Sequence, residues 1–476
     1  MYPDARQSSL ASLRGRPGLV VFVLAFVLRL AWVASLDNVL LWPDEREFAQ
    51  VGMHLAAGDG YVSSSYRANP VVPFYLATFF RVFGENYLWP RIGQCVVGAV
   101  TCLLLLRLTT LVVSPTAGFL AGLMLALYPA HIYLAGVFYV TCILSLLVVA
   151  FVYAVVRAAS AERPALFSIL AGLCLGLATM TRAASLVYVP VACLALVYSN
   201  PKRWRSLVAA AAVLALCSAV VVVPWSIRNT RKFGRPMLVS SGLWATFWKG
   251  NNELSDGSAD DRVQLWGTSL WESRLARLSK SERAAVSARY EDIARRIDAS
   301  FESTGDIYLS RDEVLRPIVL AYVAENPGRF AQLFFSKVLV LFRSFSETEQ
   351  DNRHTSSAAK LLAALSFYPI LAFAVVGAIL AIPMRRRLAP VYLTILSSVV
   401  LYGVLTACTR FRLPLDPLLL VFSSLAIERL VLRPVGGATV DRRSAVRGVY
   451  KKRSTEAVRW FTRTGRLHCD SASLVG

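Results

Sequence analysis

The sequence predicts an all-α, polytopic membrane protein with about ten transmembrane helices. Hydrophobic residues make up 56% of the 476-residue chain. They are concentrated in apolar runs such as 18–36 and 206–223, each close to the roughly 20 residues that cross about 30 Å of hydrocarbon. Such runs recur along most of the chain, whereas a soluble protein interrupts them with polar faces. The first run is followed by further apolar runs and by no evident cleavage site, which disfavours a signal peptide.

The charge pattern indicates which partners the chain has. Basic residues outnumber acidic ones by 51 to 30, which gives a formal net charge of +21 at pH 7. They cluster at the ends of apolar runs and in the tail after Leu430, as Lys202, Arg203 and Arg385–Arg387 illustrate. This is the pattern of cytoplasmic loops that face anionic lipid. Membrane lipids are therefore the predicted partner, and nucleic acid is not.

The same charges predict the topology, because cytoplasmic loops carry the excess of basic residues. Arg6, Arg14 and Arg16 precede the first span, so both termini are placed in the cytoplasm if the chain crosses ten times. The predicted spans are residues 18–36, 87–109, 116–135, 138–157, 164–180, 184–199, 206–223, 361–383, 388–406 and 413–430. The predicted units are a cytoplasmic N-terminus 1–17, a transmembrane core 18–224 with a first outside loop 37–86, an outside segment 225–345, C-terminal transmembrane helices 346–430 and a basic cytoplasmic tail 431–476.

Two short helices are predicted in the first outside loop. Residues 45–57 place Phe48, Val51 and Leu55 on one face at helical spacing. Residues 72–83 are apolar but too short to cross the membrane. Both segments are expected to lie at the membrane interface.

The outside segment also contains two predicted helices. Residues 281–301 carry Glu and Arg three and four positions apart, which predicts a solvated helix. Residues 331–345 are apolar but only about 15 residues long. A full crossing there would move Arg385–Arg387 outside, against the charge rule. We therefore expect residues 331–345 to form a re-entrant or interfacial helix.

Cysteine and metal-ligand patterns carry little information. Seven of the eight cysteines lie in apolar segments, where cysteine behaves as a small hydrophobe. No Cys-x-x-Cys pair occurs, so a disulfide framework is not expected. No His, Asp or Glu cluster has the spacing of metal ligands. The sequence predicts no cofactor and leaves a divalent metal open.

The first outside loop begins with an adjacent acid pair, Asp44 and Glu45, directly before the predicted interfacial helix. A carboxylate at the boundary between water and lipid can take a proton from an acceptor hydroxyl as a general base. A solvated loop charge is the simpler interpretation of the pair taken alone. The arginines predicted on the same face of the membrane favour the catalytic one.

These arginines are unexpected on the outer side, since external loops are depleted in basic residues. Guanidinium groups bind phosphate oxygens through paired donors, so the arginines are candidate ligands of a donor phosphate. An interaction of some of them with lipid headgroups is the alternative. The candidates are Arg67, Arg91, Arg182, Arg228, Arg410 and Arg412.

Several short motifs spread over about residues 18–430 resemble the lipid-linked-sugar glycosyltransferases of the GT-C superfamily. The resemblance is closest to bacterial relatives of dolichyl-phosphate-mannose protein mannosyltransferases and of aminoarabinose lipid A transferases. The motifs are Asp44-Glu45, Asn69-Pro70 to Tyr75, Trp89-Pro90-Arg91-Ile92, Leu127 to His131, Thr181-Arg182, Pro224-Trp225 to Gly234, Gly250-Asn251-Asn252, Asn326-Pro327 and Phe411-Arg412-Leu413-Pro414.

The resemblance implies a GT-C fold with interfacial helices in the first outside loop. It implies a polyprenyl-phosphate monosaccharide as donor, Asp44 as catalytic base with Glu45 beside it, and Arg91 as the arginine that follows the interfacial helices. Candidate polar contacts within the same motifs are Tyr128, His131, Asn251 and Asn252.

One stretch departs from the related sequences, which carry an acid at the outer start of the span after the Tyr-Pro motif. Here the stretch reads Tyr139-Val140-Thr141-Cys142 and has no acid. Either the first-loop carboxylate suffices, or the activity is altered.

Three functional hypotheses follow. The first is a glycosyltransferase of the bacterial inner membrane with its active site on the periplasmic face, acting on an unidentified lipid, glycan or protein acceptor. The second is a transporter or flippase of a lipid-linked saccharide, although no duplicated halves of the kind common in transporters are visible. The third is a membrane scaffold without catalysis.

Overall fold

The computed structural model describes residues 16–62, 69–257, 272, 274–345 and 356–432. The predicted phosphate ligand Arg67 and the basic tail from residue 433 onward lie outside the described residues. In the N-terminal half the helices are α1 (Arg16–Ala34), α2 (Pro43–Ala57), α3 (Val71–Phe83), α4 (Leu88–Val112), α5 (Pro115–Leu127), α6 (Pro129–Tyr133), α7 (Val140–Ser160), α8 (Ala165–Thr181), α9 (Tyr188–Ser199) and α10 (Trp204–Phe233). In the C-terminal half they are α11 (Leu243–Gly250), α12 (Lys280–Thr304), α13 (Ile307–Glu325), α14 (Pro327–Leu341), α15 (Ser357–Leu380), α16 (Ala389–Val404), α17 (Thr409–Arg412) and α18 (Asp416–Ile427).

The apolar helices make this an all-helical, multi-pass membrane protein. Within the described ranges, five helices (α1, α4, α7, α10 and α15) are long and apolar enough to cross a membrane. A further apolar pair, Pro115–Leu127 and Pro129–Gly136, is bent by 58°. Helices α3, α8, α9 and α16 are apolar but shorter. Each of these helices coincides with a predicted span or interfacial segment, whereas the number of crossings stays a prediction.

Close packing within the bundle depends on small residues. Helix α8 packs against α10. A Cβ atom added to Gly172 would lie 2.4 Å from the Leu214 carbonyl oxygen, and one added to Gly176 would lie 2.6 Å from Cβ of Val221. Two glycines four positions apart let two helix backbones approach closely, which is a common basis of helix association in lipid.

A buried arginine in α1 was not singled out in the sequence. Arg29 is 1% exposed and donates to the carbonyl oxygens of Ala25, Leu125 and Ala126 at 3.0–3.4 Å. The carbonyls of Leu125 and Ala126 lie at the break between α5 and α6, where Pro129 has no N–H to donate. Backbone groups freed inside a membrane must find partners within the protein. Arg29 therefore stabilises the break, and Gly98 leaves room for it, since a Cβ there would lie 2.4 Å from Nε of Arg29.

The first loop forms the predicted pair of short helices. Helix α2 begins with Pro43 at its first position and ends at Gly58, whose φ of 95° lies in the left-handed region that favours glycine. Its buried face carries Phe48, which packs with Phe80 of α3 and with Phe138 in one hydrophobic cluster. The two helices thus dock on the bundle as a unit, beside the start of α7.

The segment after α10 forms a small helical layer with its own core. Trp248 of α11, Tyr290 and Ile293 of α12, and Leu315 of α13 lie in one buried cluster. The prediction of a wholly solvated helix at 281–301 is therefore corrected, because Tyr290, Ile293 and Ile297 form a buried stripe at helical spacing. Ser279 and Glu282 form a capping box at its N-terminus.

Candidate functional site

The two acids of the first loop have different surroundings. Glu45 is 1% exposed. Its carboxylate accepts hydrogen bonds from the backbone N–H groups of Trp42 and Leu41 at 3.0 and 3.2 Å and from that of Phe138 at 2.9 Å. Burial raises the pKa of Glu45, while these donors and Arg91 act in the opposite direction. Glu45 thus joins the first loop to the start of α7, and Asp44 is the more exposed of the two.

Asp44 pairs with an arginine from the far end of the chain. Its Oδ2 lies 3.1 Å from Nη1 of Arg410, and both side chains are partly exposed, at 29% and 37%. The Arg410 guanidinium also lies 4.9 Å from the ring centre of Tyr139. The pair therefore connects the N-terminus of α2, the start of α7 and α17, although 366 positions separate its two residues.

A second arginine lies beside this pair. The guanidinium of Arg182 lies 3.8 Å from the ring centre of Phe411 and 5.3 Å from that of Tyr402. Phe411 directly follows Arg410 in α17. Arg410 therefore pairs with Asp44, and Arg182 contacts the next residue of the same short helix.

Arg228 belongs to an adjacent aromatic cluster. It donates to the Tyr61 carbonyl oxygen at 3.2 Å and to Asn229 at 2.9 Å, and it lies 4.5 Å from the ring centre of Trp225. Trp225 packs with Ala183, the residue after Arg182, in a small hydrophobic cluster. The segments that carry Arg228 and Arg182 therefore pack against the same small hydrophobic cluster.

The two other predicted phosphate ligands that are described, Arg91 and Arg412, are buried and bonded to backbone carbonyls. Arg91 is 5% exposed and donates to the carbonyl oxygens of Gly136, Asp37 and Val39 at 2.7–3.0 Å. This arrangement fixes the start of the first loop and the segment before α7 to α4. Nε, Nη1 and Nη2 of Arg91 each donate to a backbone carbonyl oxygen, so the protein itself takes the donors that a phosphate would use.

Arg412 is 1% exposed and donates to Asp416 at 2.9 Å and to the carbonyl oxygens of Leu341 and Arg343. Asp416 also accepts from the Tyr128 hydroxyl at 3.1 Å. Asp416 was not singled out in the sequence. An acid four residues after an arginine, at the start of an apolar helix, is the signal that could have identified it.

The candidate polar contacts Tyr128 and His131 lie on this buried network. Their rings stack with centres 5.5 Å apart, and Nε2 of His131 lies 3.0 Å from the Leu413 carbonyl oxygen. Both side chains are less than 10% exposed. The structure places them against α18, where they support the segment that carries Arg410 and Arg412. Cys142, in place of the acid of related sequences, is buried, with Sγ 3.8 Å from the Gln94 carbonyl oxygen.

Asn251 and Asn252 are fully buried and bind backbone. Asn251 Nδ2 donates to the carbonyl oxygens of Val404 and Leu405 at 3.0 and 3.1 Å, and Asn252 Nδ2 donates to that of Trp248 at 2.8 Å. Val404 and Leu405 end α16, shortly before Arg410. The Gly-Asn-Asn motif therefore clamps the turn that leads to the site.

Lys337 completes this clamp and was missed in the sequence, where a lone lysine in an apolar segment carries no further signal. Its Nζ donates to Asn251 Oδ1 at 2.7 Å, to the Val404 carbonyl oxygen at 2.9 Å and to that of Leu405 at 3.4 Å. The side chain is fully buried, and burial lowers the pKa of Lys337 from 10.5 to about 7.

The lowered pKa predicts a pH-dependent stability. Between pH 7 and 10.5 the unfolded chain binds a proton at Lys337 that the folded protein does not, so the stability contributed there is lost as the pH falls. We expect the melting temperature of the wild type, relative to Lys337→Met, to decrease from pH 10 to pH 7. Thermal unfolding across this range measures it, with the exposed Lys280→Gln as the control. Parallel curves for wild type and Lys337→Met would contradict the shift.

Within the described ranges, no group of three or more His, Cys, Asp or Glu side chains comes close enough together to hold a metal ion. The site contains an ion pair between the Asp44 carboxylate and the partly exposed Arg410, and a second arginine, Arg182, packs on the ring of the following residue, Phe411. Such a set can move a proton and bind an anion at the same place.

Comparison with solved structures defines the class of protein. The chain is similar to the archaeal oligosaccharyltransferase AglB from Archaeoglobus fulgidus in complex with an inhibitory peptide and a dolichol-phosphate, with 15% identity, 88% of this chain and 52% of that chain covered, and a TM-score of 0.50. The apo form of the Archaeoglobus fulgidus oligosaccharyltransferase matches with 15% identity, 89% and 52% coverage and a TM-score of 0.51. The chain thus has a GT-C fold and spans about half the length of these oligosaccharyltransferases.

The chain also matches one further solved structure and one family model. ArnT from Cupriavidus metallidurans bound to undecaprenyl phosphate matches with 17% identity, 89% and 79% coverage and a TM-score of 0.43. Residues 67–227 match the family model of dolichyl-phosphate-mannose-protein mannosyltransferases. No curated protein sequence matches the chain. The resemblance to GT-C glycosyltransferases that the motifs predicted is confirmed.

Proposed function

We propose that the chain is a glycosyltransferase that moves a monosaccharide from a polyprenyl-phosphate donor to an acceptor hydroxyl. The observation that carries the proposal is the pairing of Asp44 with Arg410, whose neighbour Phe411 contacts Arg182. A carboxylate and two guanidinium groups, supplied by three distant segments, are the groups that this reaction needs. The family match over residues 67–227 supports a lipid-phosphate donor.

In the proposed reaction the acceptor oxygen attacks the anomeric carbon of the donor sugar. The bond from that carbon to the phosphate oxygen breaks, and Asp44 takes the proton of the attacking hydroxyl. The phosphate gains one negative charge as it leaves on its lipid. Arg410 and Arg182 stabilise that charge in a partly desolvated site, where such interactions are strongest.

The other candidate residues fall into two groups: those that would contact the donor and those that position the segments of the site. Arg228 extends the cationic region beside Arg182, and Arg67 stays a predicted ligand. We assign Arg91, Arg412 and Glu45 to positioning, because backbone groups occupy their side chains. In this assignment the buried arginines hold the first loop and α17 against each other.

We also propose ten crossings, with both termini in the cytoplasm of a bacterial inner membrane, residues 225–330 outside and α14 as an interfacial or re-entrant helix. Reporter fusions at Gly257 and after Arg433 test this topology. Activity of a periplasmic reporter is expected at Gly257 and of a cytoplasmic reporter after Arg433. The same sidedness for both fusions would contradict the model.

The function is tested by comparing envelope lipids and glycans, by mass spectrometry, in cells with and without the gene. We expect one envelope component to lose a single monosaccharide and a polyprenyl-phosphate monosaccharide to accumulate. Complementation with the wild-type gene restores the profile. An unchanged profile in cells grown under the conditions that express the gene would contradict the proposal.

A further inference from the structure

A cleft of about 370 Å³ lies in the outside segment, apart from the Asp44 site. Its walls come from residues 253–256, from residues 274–278 and from one face of α14. Arg274 builds one wall, because it donates to the Leu254 carbonyl oxygen at 2.8 Å and pairs with Asp256. The cleft therefore has a fixed frame and is not a gap between unconnected loops.

Two polar side chains of the cleft, those of Arg277 and Gln332, are exposed to it. Side-chain hydrogen bonds of Arg277 and Gln332 to the described part of the chain are absent, and both side chains are exposed. Oε1 of Glu253 accepts a hydrogen bond from Arg289 at 3.4 Å. Its Oε2 is buried and has no hydrogen-bond partner among the described residues. The exposed side chains of Arg277 and Gln332 are therefore the groups of the cleft that a ligand can reach.

The lining matches a saccharide with an anionic substituent. Leu254, Leu278 and Leu333 provide an apolar floor for the C–H face of a sugar ring. Glu253 and Gln332 can accept from and donate to its hydroxyls, since ligand sites combine an apolar lining with a few placed polar groups. Both acids of the cleft already pair with arginines.

Because both acids of the cleft pair with arginines, the remaining charge of its lining is positive. Arg329 donates to the Ser255 carbonyl oxygen at 2.9 Å and also interacts with the Tyr322 hydroxyl, and its side chain is exposed at the cleft, as is that of Arg277. Two guanidinium groups without a matching carboxylate suit a phosphate or a carboxylate on the ligand.

Helix α14 connects the cleft with the Asp44 site. Ser336 faces the cleft and donates to the Asp256 carbonyl oxygen at 2.6 Å. Five residues later, the Leu341 carbonyl oxygen accepts from Arg412, two residues after Arg410. At 1.5 Å per residue these contacts are about 7–8 Å apart along the helix. Helix α14 therefore contacts both the cleft wall and the segment that carries Arg410 and Arg412.

We propose that this cleft binds the anionic saccharide part of the acceptor. The proposal rests on the function proposed above and names the acceptor class for it. It assigns Arg277 and Arg329 to the anionic group, and Glu253 and Gln332 to sugar hydroxyls.

Binding to the full-length protein in nanodiscs, without donor, tests the proposal. Glucose 6-phosphate, glucose and inorganic phosphate are the probes, followed by isothermal titration calorimetry. We expect glucose 6-phosphate to bind at least about tenfold more tightly than glucose or phosphate, because only it engages both halves of the cleft. Arg277→Ala is expected to weaken its binding about tenfold, which corresponds to about 1.4 kcal/mol.

The matched control is Arg283→Ala, since Arg283 is an exposed arginine of α12 outside the cleft. It is expected to bind glucose 6-phosphate like the wild type. Equal binding by wild type and Arg277→Ala, or no preference for glucose 6-phosphate over its two parts, overturns the proposal.

Asp44→Asn separates this result from the proposed function. Binding of glucose 6-phosphate is expected to be unchanged in Asp44→Asn, because Asp44 does not line the cleft. If transfer persists in Asp44→Asn while Arg277→Ala loses binding, the catalytic proposal fails and the cleft stands. If Asp44→Asn loses transfer and Arg277→Ala binds normally, the cleft proposal fails alone.

Discussion

Asp44→Asn is expected to lower the rate of sugar transfer by at least about a hundredfold, with the fold retained. Positioned general bases contribute about 10²–10⁴ to a rate, and an amide of the same size cannot take the proton of the acceptor hydroxyl. The side chain is partly exposed and pairs with Arg410, which is itself partly exposed, so stability should change little. Transfer by purified protein from a radiolabelled polyprenyl-phosphate sugar, together with the melting temperature, measures both effects.

The control for this substitution is Asp59→Asn, an exposed acid of the same loop whose ion pair is with His54. It is expected to retain wild-type transfer. A transporter or scaffold should tolerate Asp44→Asn as well as Asp59→Asn, so equal activity of the two variants would contradict the role of Asp44 and favour the transport hypothesis.

Arg410→Ala extends the test to the partner of Asp44. If the two residues act together, the double variant with Asp44→Asn should be no worse than the worse single variant, since residues that share one function are not additive. Multiplied losses would indicate independent roles.

Much of the membrane architecture could be predicted from the sequence because it depends on local patterns. Apolar runs correspond to α1, α4, α7, α10 and α15, and the helical face of 45–57 corresponds to α2. The acid pair Asp44-Glu45 could be recognised in the sequence, but the sequence did not show which of the two is exposed and which is buried. Which carboxylate turns inward depends on the backbone N–H of Phe138, 93 positions away.

The arginines show the limit of the charge rule. An arginine at an outer helix end is noticeable in sequence, yet its partner is set by tertiary packing. Arg410 forms an ion pair with a carboxylate, and Arg182 packs on aromatic rings. Arg412 donates to backbone carbonyl oxygens and pairs with Asp416. These contacts link segments far apart in the chain, so no local spacing could distinguish contact residues from supporting ones.

Lys337 and Arg29 were missed for a related reason. Each is a single cation in an apolar segment, and each satisfies backbone carbonyls where another helix ends or breaks. The position of a helix break relative to a distant side chain is a property of the packed bundle. The Gly-Asn-Asn motif, by contrast, was visible, and only its role as a backbone clamp required the structure.

That clamp gives the second large effect, the loss of both stability and transfer in Gly250→Ala. A Cβ at position 250 would lie 2.0 Å from the Leu405 carbonyl oxygen and 3.1 Å from Cα of Thr406. Both are backbone atoms, which cannot rotate away as a flexible side chain can. Overpacking of this kind typically costs about 1–3 kcal/mol.

The turn at Leu405 and Thr406, which Gly250→Ala would displace, also positions Arg410. Leu405 accepts from Asn251 and Lys337, and Arg410 follows it by five residues. We therefore expect Gly250→Ala to lower the melting temperature and to reduce transfer at least about tenfold, because a misplacement of about 1 Å in a reacting geometry can cost up to 10²-fold. The control is Gly328→Ala near the start of α14, where an added Cβ meets nothing within 4 Å. If Gly250→Ala has the same melting temperature and the same rate of transfer as Gly328→Ala, the contact of α11 with the turn does not position Arg410.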